Sequence, residues 1–500
     1  MAMNAAQAVL GPPLAQGLGE QLAMIGRRDR LTYRQVQEEA GRCANALRAM
    51  DIVPGQRVLL LLRDSPALVC AYLGVMAAGA VAVTLNLRSS EAELAFVLRD
   101  SQPVLALVDP EYLPLWRGTV GGTASCPVFT LGGVVAGIPA WEVRVAEALP
   151  AFDPMPVAGT DMAFWIYTSG TTGEMKACVH RHQDVLLSDA YLRETLGVTA
   201  GMRVFATSKL FFAYALGTCL FGAMRLGATT ILLDAWPTPD AVARVIAQHQ
   251  PHVVFSVPAF YRAMLAADVT AQPAFRKVGT WVSAGERLPA TVFQRWHAAT
   301  GAPIVEGMGT SETIYMILTQ RPGAAVAGSS GKPAPGVEAR LVDMQGQSVA
   351  ANTPGILHVR MSSISAGYWN QPERSAQVFR DGWFNTGDVF TVDGDGLWRH
   401  GGRQEDRIPV PGGSVNPADI EESVQALPGV ADACLVSVPS GLTVFAVETT
   451  GADRASLALA IHDAVEQHLP PPIPAPAIRW VSELPRTASG KVQRYRLRQA

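Results

Sequence analysis

Short, unbroken apolar runs recur along the first half of the chain, separated by segments whose apolar residues fall at helical spacing. VLLLL (58–62), VLALV (104–108), TTILL (229–233) and HVVFSV (252–257) have the length and continuity of strands covered on both faces. Between the last two, TPDAVARVIAQ (238–248) has helical spacing after a Thr-Pro start. This alternation predicts α/β layers built on largely parallel sheets. From about residue 320 the pattern breaks into short runs punctuated by Gly and Pro, as in GKPAPGVEARLVDMQGQ, which predicts a β-rich subdomain at roughly 320–400. A second change falls at GGRQEDR (401–407), and the remainder has the length for a small α+β domain. The expected class is α/β, with a large N-terminal domain of layered α/β sheets (1–403) and a small C-terminal domain (404–500).

One run is nearly long enough to span a bilayer. Residues 67–85, ALVCAYLGVMAAGAVAVTL, carry no charge. Gly74 and Gly79 interrupt it, however, and 80–85 alternates as a strand would, so a buried helix ending at Gly79 and feeding a strand is the better reading. Five hundred residues exceed a single core, and a net charge of −3 with 49% hydrophobic residues describes a globular enzyme rather than a nucleic-acid binder. The six cysteines are scattered without a CxxC pair, which disfavours a metal cluster or disulfide framework and suits a reducing cytoplasm. The N-terminus lacks a basic start and carries two early prolines, unlike a signal peptide.

The chemistry concentrates in YTSGTTGEMK (167–176). Gly170 and Gly173 let the backbone bend close to a ligand, Thr168, Ser169, Thr171 and Thr172 offer hydroxyls, and Lys176 supplies a positive charge. Such a loop suits a polyphosphate, and it also has the composition of an ordinary surface turn. It is not a Walker loop: that motif needs GxxxxGK followed by Ser or Thr, and neither Lys176-Ala177 nor Lys491-Val492 supplies it.

In the order of its residues the loop resembles the phosphate-binding signature of the adenylate-forming family of acyl-CoA synthetases, luciferases and nonribosomal adenylation domains, with Met175 and Ala177 where relatives usually have Pro and Gly. Further segments resemble that family in order and spacing. EGMGTSE (306–312) is similar to its adenine and α-phosphate loop, implying nucleotide contacts from Glu306, Gly307, Met308, Gly309 and Thr310. Ser311 stands there in place of the usual Thr, and Glu312 is the implied Mg²⁺ carboxylate. SAGE (283–286) resembles the stretch along the nucleotide, bringing in Gly285 and Glu286, and WFNTGD (383–388) the ribose motif, with Asp388 and then Arg403 as ribose contacts. PRTASGK (485–491) resembles the catalytic-lysine loop. Only five of the 40 basic residues are lysines, and two of them, Lys176 and Lys491, stand at the family's two lysine positions.

The resemblance implies a mobile C-terminal domain hinged at Glu405, with ATP, Mg²⁺ and coenzyme A as cofactors. The carboxylate attacks the α-phosphorus in line, and Lys491, Glu312 and Ser311 act on the developing charge. In RIPVPGGSVNP (407–417), Pro409 and Pro411 depart from the pattern and remove backbone donors on the thiol side. KLFFAYALG (209–217) and VPAFY (257–261) resemble benzoate- and anthranilate-type CoA ligases. They imply an aryl-acid pocket formed by Phe212, Ala213, Tyr214, Gly217, Ser283, Ala284, Met308, Gly309 and Tyr315, with Phe211 as a further wall. No Asp stands near Ala213 to pair with a substrate ammonium, which disfavours an α-amino acid. Benzoate-type relatives carry His where Tyr315 falls, so a ring substituent or another shape is expected. The leading expectation is an aryl-acid–CoA ligase, a monomer or homodimer with no nucleic-acid or membrane partner. The alternatives are an adenylating enzyme that loads a carrier-protein thiol or an amine, and an adenylate-binding pseudoenzyme.

Overall fold

The computed structural model describes residues 2–120, 126–169, 175–410, 413–439, 441–469, 473–486 and 492–499. Two large sheets organise the first 333 residues. The first has six strands in the order Met175–Arg181, Met162–Ser169, Val81–Thr84, Arg57–Leu61, Leu105–Val108 and Val128–Thr130, all parallel except the first pair. The second has nine, with a parallel centre running from Ile304–Gly309 through Thr280–Ser283, Val253–Ser256, Arg203–Ala206 and Thr229–Ile231 to Leu22–Ile25.

Side-chain alternation assigns the faces. On Arg57–Leu61, Val58 and Leu60 enter the core that also holds Val253 and Phe255 of the second sheet, whereas Leu59 and Leu61 face the opposite way. The helices Tyr33–Arg48 and Pro66–Ala77 belong to that shared core and so lie between the sheets. This explains the membrane-like run. Pro66–Ala77 starts on Ser65, which accepts from Leu68 N at 3.1 Å, and is buried along nearly its whole length. Gly74 gives the close approach to the neighbouring helix: a Cβ there would lie 2.4 Å from Cys43 Cβ. The helix ends before Gly79, whose φ is +77°, and the strand Val81–Thr84 follows. Among the described residues no helix is long and apolar enough to cross a membrane.

A five-stranded sheet spans Glu338–Arg403 around Trp383–Val392, with its own core of Leu357, Val359, Phe384 and Phe390. Beyond it come the hairpin Ile408–Val410/Gly413–Val415 and the three-stranded sheet Val430–Val438, Gly441–Glu448 and Ala477–Trp480. These pack with helices Pro417–Gln425 and Arg454–Glu466 around a separate core that includes Ile420, Val444 and Ile461.

Candidate active site

A cavity of about 780 Å³ opens between the large domain and the C-terminal residues. Its large-domain wall includes Thr168, Lys176, Thr310, Ser311, Glu312 and Tyr368. The antiparallel pairing of Met162–Ser169 with Met175–Arg181 sets Lys176 opposite Thr168, at the open end of the first sheet. From there Lys176 Nζ reaches Glu312 Oε1 at 2.8 Å and the Tyr368 hydroxyl at 2.7 Å. It also sits 4.0 Å above the Tyr368 ring centre. The same hydroxyl lies 2.7 Å from Glu312 Oε1, which closes the triangle. Burial pushes the Glu312 carboxyl up, but the Lys176 charge and the hydrogen bonds from Lys176 and Tyr368 outweigh it and hold the group down at about 2.

Gly170, Thr171, Thr172, Gly173 and Lys491 lie outside the described residues, as does the Ser169 side chain. Residues on either side of the 487–491 segment are described: Arg486, Val492 and Gln493 all line the cavity.

The loop after the strand Ile304–Gly309 is held from beneath. His180, buried and stacked on Phe164 with centroids 5.0 Å apart, donates through Nε2 to Ser311 O at 2.8 Å. Ser365 N donates to Glu312 O at 2.7 Å. Gly309 permits a close backbone crossing, since a Cβ there would lie 2.9 Å from Tyr315 O. Gly309 to Glu312 face the cavity, together with Glu286. Glu306 does not. Its side chain turns inward, 3.5 Å from Leu288 N and 3.5 Å from Ser330 Oγ, and burial pushes its carboxyl up to about 8. Gly307 and Met308 are likewise absent from the cavity wall, as is Gly285, which supplies a left-handed turn at φ +93°.

Asp388 and Arg403 face each other across paired strands. Arg403 Nε lies 3.4 Å from Asp388 Oδ1, and its NH1 donates to Thr386 O at 2.7 Å. His400 Nε2 adds a contact of 3.0 Å to the same Asp388 oxygen. Arg403 and Glu405 border the cavity, while Asp388 stands behind Gly387 and Thr386.

Of the expected acid-pocket residues, Ala213, Tyr214, Ala284 and Tyr315 share one core beside a π-helical turn, Leu216–Gly222, whereas Met308 packs against the core of the five-stranded sheet and leaves that group. A Cβ on Gly217 would meet Ile314 O at 2.6 Å and the Tyr315 ring at 3.0 Å, so that glycine makes room for the 314–315 backbone. Ile314 is β-branched yet has φ +57°, a strained conformation of the kind that marks functional loops. Tyr214 donates to Val282 O at 3.3 Å, beside Ser283 and Ala284. The hydroxyl of Ser283 is buried without a hydrogen-bond partner among the described residues. Ala213 borders this group and Phe212 is half-buried. Phe211 enters the outer core of the first sheet with Trp165, and Phe212 packs against that same core, the two ring centres 4.5 Å apart, so neither joins the expected pocket group.

Two contributors escaped the sequence reading. Tyr368 offered one clue, as a Tyr-Trp pair in the glycine- and serine-containing stretch ISAGYWN. His400 offered none, because its role comes from cross-strand placement beside Asp388.

Comparison with known proteins shows the family. The family model described as AMP-binding enzyme matches residues 14–369, and the AMP-binding enzyme C-terminal domain matches 419–491. The chain is 42% identical to a 3-hydroxybenzoate–CoA ligase of Aromatoleum sp. (strain CIB), covering 100% of this chain and 97% of the relative. It is 41% identical to a 3-hydroxybenzoate–CoA/4-hydroxybenzoate–CoA ligase of Thauera aromatica, over 99% and 97%. The solved structure of an anthranilate CoA ligase in complex with anthranoyl-AMP superposes with a TM-score of 0.93 at 30% identity, covering 100% of this chain and 97% of that one.

Proposed function

Because the chain belongs to the AMP-binding enzyme family, we propose that it activates an aromatic carboxylic acid with ATP and passes the acyl group to the thiol of coenzyme A. Within that class a hydroxybenzoate, and 3-hydroxybenzoate first, is the acid best supported by the whole-length similarity to the hydroxybenzoate–CoA ligases. The observation that carries the activation step is the single cavity in which Lys176, the ionised Glu312 and the Arg403 side chain meet.

In this reading the acid carboxylate attacks the α-phosphorus, an O–P bond forms, and the bond to pyrophosphate breaks. The CoA thiolate then attacks the acyl carbon and AMP leaves. Lys176 and the preceding loop, with Thr168 at its near end, bind the β- and γ-phosphates, and Asp388 and Arg403 orient the ribose. The backbone at Gly309–Ser311 lies along the α-phosphate, and Lys491 neutralises charge as it develops. Glu312 fits a Mg²⁺ ligand, being a hard oxygen donor held ionised. Among the described residues no group of three or more metal-ligating side chains exists, which suits an ion that arrives with the phosphates and takes one carboxylate from the protein. When bound, the ion offsets phosphate charge. A hinge at Glu405 and a boundary at 403/404 complete the proposal.

The test is AMP release across a panel of aryl and aliphatic acids, with and without CoA. Thioester formation with free CoA on a hydroxybenzoate supports the reading. Product only with a phosphopantetheinyl carrier protein would transfer the assignment to carrier loading. Lys491→Ala is expected to abolish acid-dependent pyrophosphate exchange while sparing thioester formation from supplied aryl-adenylate. Equal losses contradict its assigned role.

A further inference from the structure

The C-terminal domain is fastened to the large domain through side chains with no part in the chemistry above. Helix Ala290–Thr300 begins after Pro289, which offers no side-chain cap, so its first-turn N–H groups need other partners. One partner comes from the other domain: Ala290 N donates to Glu422 Oε1 at 3.0 Å. A carboxylate in that position also meets the positive end of the helix dipole. Glu422 lies one turn beyond Asp419 on helix Pro417–Gln425, so both face the same way. Between them stands Arg287, ion-paired to Asp419 and 3.4 Å from Glu422. One turn further on, Gln425 accepts from Arg262 NH1 at 3.4 Å. Three side chains on one face of this helix thus meet the large domain at the rim of the cavity, which Arg287, Pro289, Glu422 and Gln425 all line.

The strength of this contact is graded. Arg287 and Glu422 are 27% and 25% exposed, and Asp419 is 44% exposed, so solvent weakens the pairs without abolishing them. Such a clasp can hold and let go. What it holds is the domain carrying Arg486, Val492 and Gln493, which close the cavity opposite Lys176. Arg287 also lies near enough to the inward-turned Glu306 for its charge to oppose the rise of that buried carboxyl.

We propose that Arg287, Asp419 and Glu422 form an interdomain clasp that docks the C-terminal domain over the cavity, making Arg287 a positioning residue for acyl-adenylate formation. Its catalytic part rests on the two-step reading above; its structural part does not. All six native cysteines are buried, so spin labels at Gln294→Cys and Leu459→Cys, both exposed, report the distance between domains. A narrow distance distribution is expected in the parent protein and a broadened one in Arg287→Ala. Arg287→Asp and Asp419→Arg should each broaden it, and their combination should restore it. In parallel, Arg287→Ala should lower acid-dependent pyrophosphate exchange about tenfold, against less than about twofold for thioester formation from supplied aryl-adenylate. Unchanged distances overturn the clasp. Broadened distances with unaltered exchange, or with equal losses in both half-reactions, overturn the positioning role. If the parent shows no acid-dependent exchange at all, the proposed function falls while the label distances still decide the clasp.

Discussion

The two walls of the cavity are built on different principles. On the large-domain side, Lys176, Glu312 and Tyr368 form a closed triangle of contacts between 2.7 and 2.8 Å, with the two charged side chains only 13% and 9% exposed. On the C-terminal side the packing is mixed: Arg494 and Glu421, 18% and 12% exposed, pair almost as deeply, whereas the contact across the domains, Arg287 with Asp419, and the Arg498 side chain, 2.9 Å from Asp406, are more open to water. A buried charge that loses its partner is left uncompensated, whereas an exposed one is rescued by solvent. The Lys176 triangle is therefore suited to hold its geometry without rearranging, and the Arg287 contact across the domains to change position.

Lys176→Ala should break this contrast most severely. It strands Glu312 as a buried, unpaired carboxylate, with an expected stability loss of about 3 kcal/mol in urea unfolding. Pyrophosphate exchange should fall by about a thousandfold, of the order seen when a preorganised charge-stabilising group is removed. If the variant unfolds like the parent and retains exchange, the triangle is not the phosphate wall.

The acid limb of stability tests the same wall without mutation. Because Glu312 is held at about 2, below its ordinary 4.5, its ionised form stabilises the fold above pH 4.5, and that contribution drains away as pH falls from 4.5 toward 2. Glu306 has the opposite sign. Its carboxyl is raised to about 8, so its contribution is full below pH 4.5 and is lost as pH rises toward 8. Glu306→Gln should therefore flatten the stability profile between pH 5 and 8, raising Tm at pH 8 relative to the parent. An unchanged profile would show that Glu306 ionises freely.

Gly217→Ala should act more locally. The added methyl group meets Ile314 O and the Tyr315 ring, and overpacking of this kind costs about 1–3 kcal/mol. The KM for the aryl acid should rise about tenfold while the KM for ATP stays within about twofold. A parallel rise in both would place Gly217 outside the acid pocket. The smallest effect is expected at the open wall: Arg498→Ala, whose side chain is 40% exposed, should change stability by less than about 1 kcal/mol. A larger loss in urea unfolding would erase the contrast between the walls.

Legibility followed the range of the interactions involved. Strands at 58–62, 104–108, 229–233 and 252–257 could be read because burial on both faces demands continuous apolarity; each lies in a sheet, with ends shifted by one or two residues. The helix at 238–248 appears as Pro239–His249, because Thr238 accepts from Ala241 N at 3.2 Å as its cap. The motif 306–312 was legible as far as its second half, since Gly309, Thr310, Ser311 and Glu312 line the cavity. The direction of Glu306 was not, because a strand's two faces look alike in sequence until the neighbours on each side are known. Phe211 and Phe212 show the same limit: both belong to the outer core of the first sheet, Phe211 buried in it and Phe212 half-buried at its edge.

By itself, then, the sequence determined the layered α/β class and the family, because those follow from local periodicity and from short motifs. Only the tertiary structure decided that Tyr368 joins Lys176 across 192 residues, that His400 supports Asp388, and that Glu422 caps a helix of the other domain. Those partners meet through chain crossings and domain docking, which no local pattern of residues encodes.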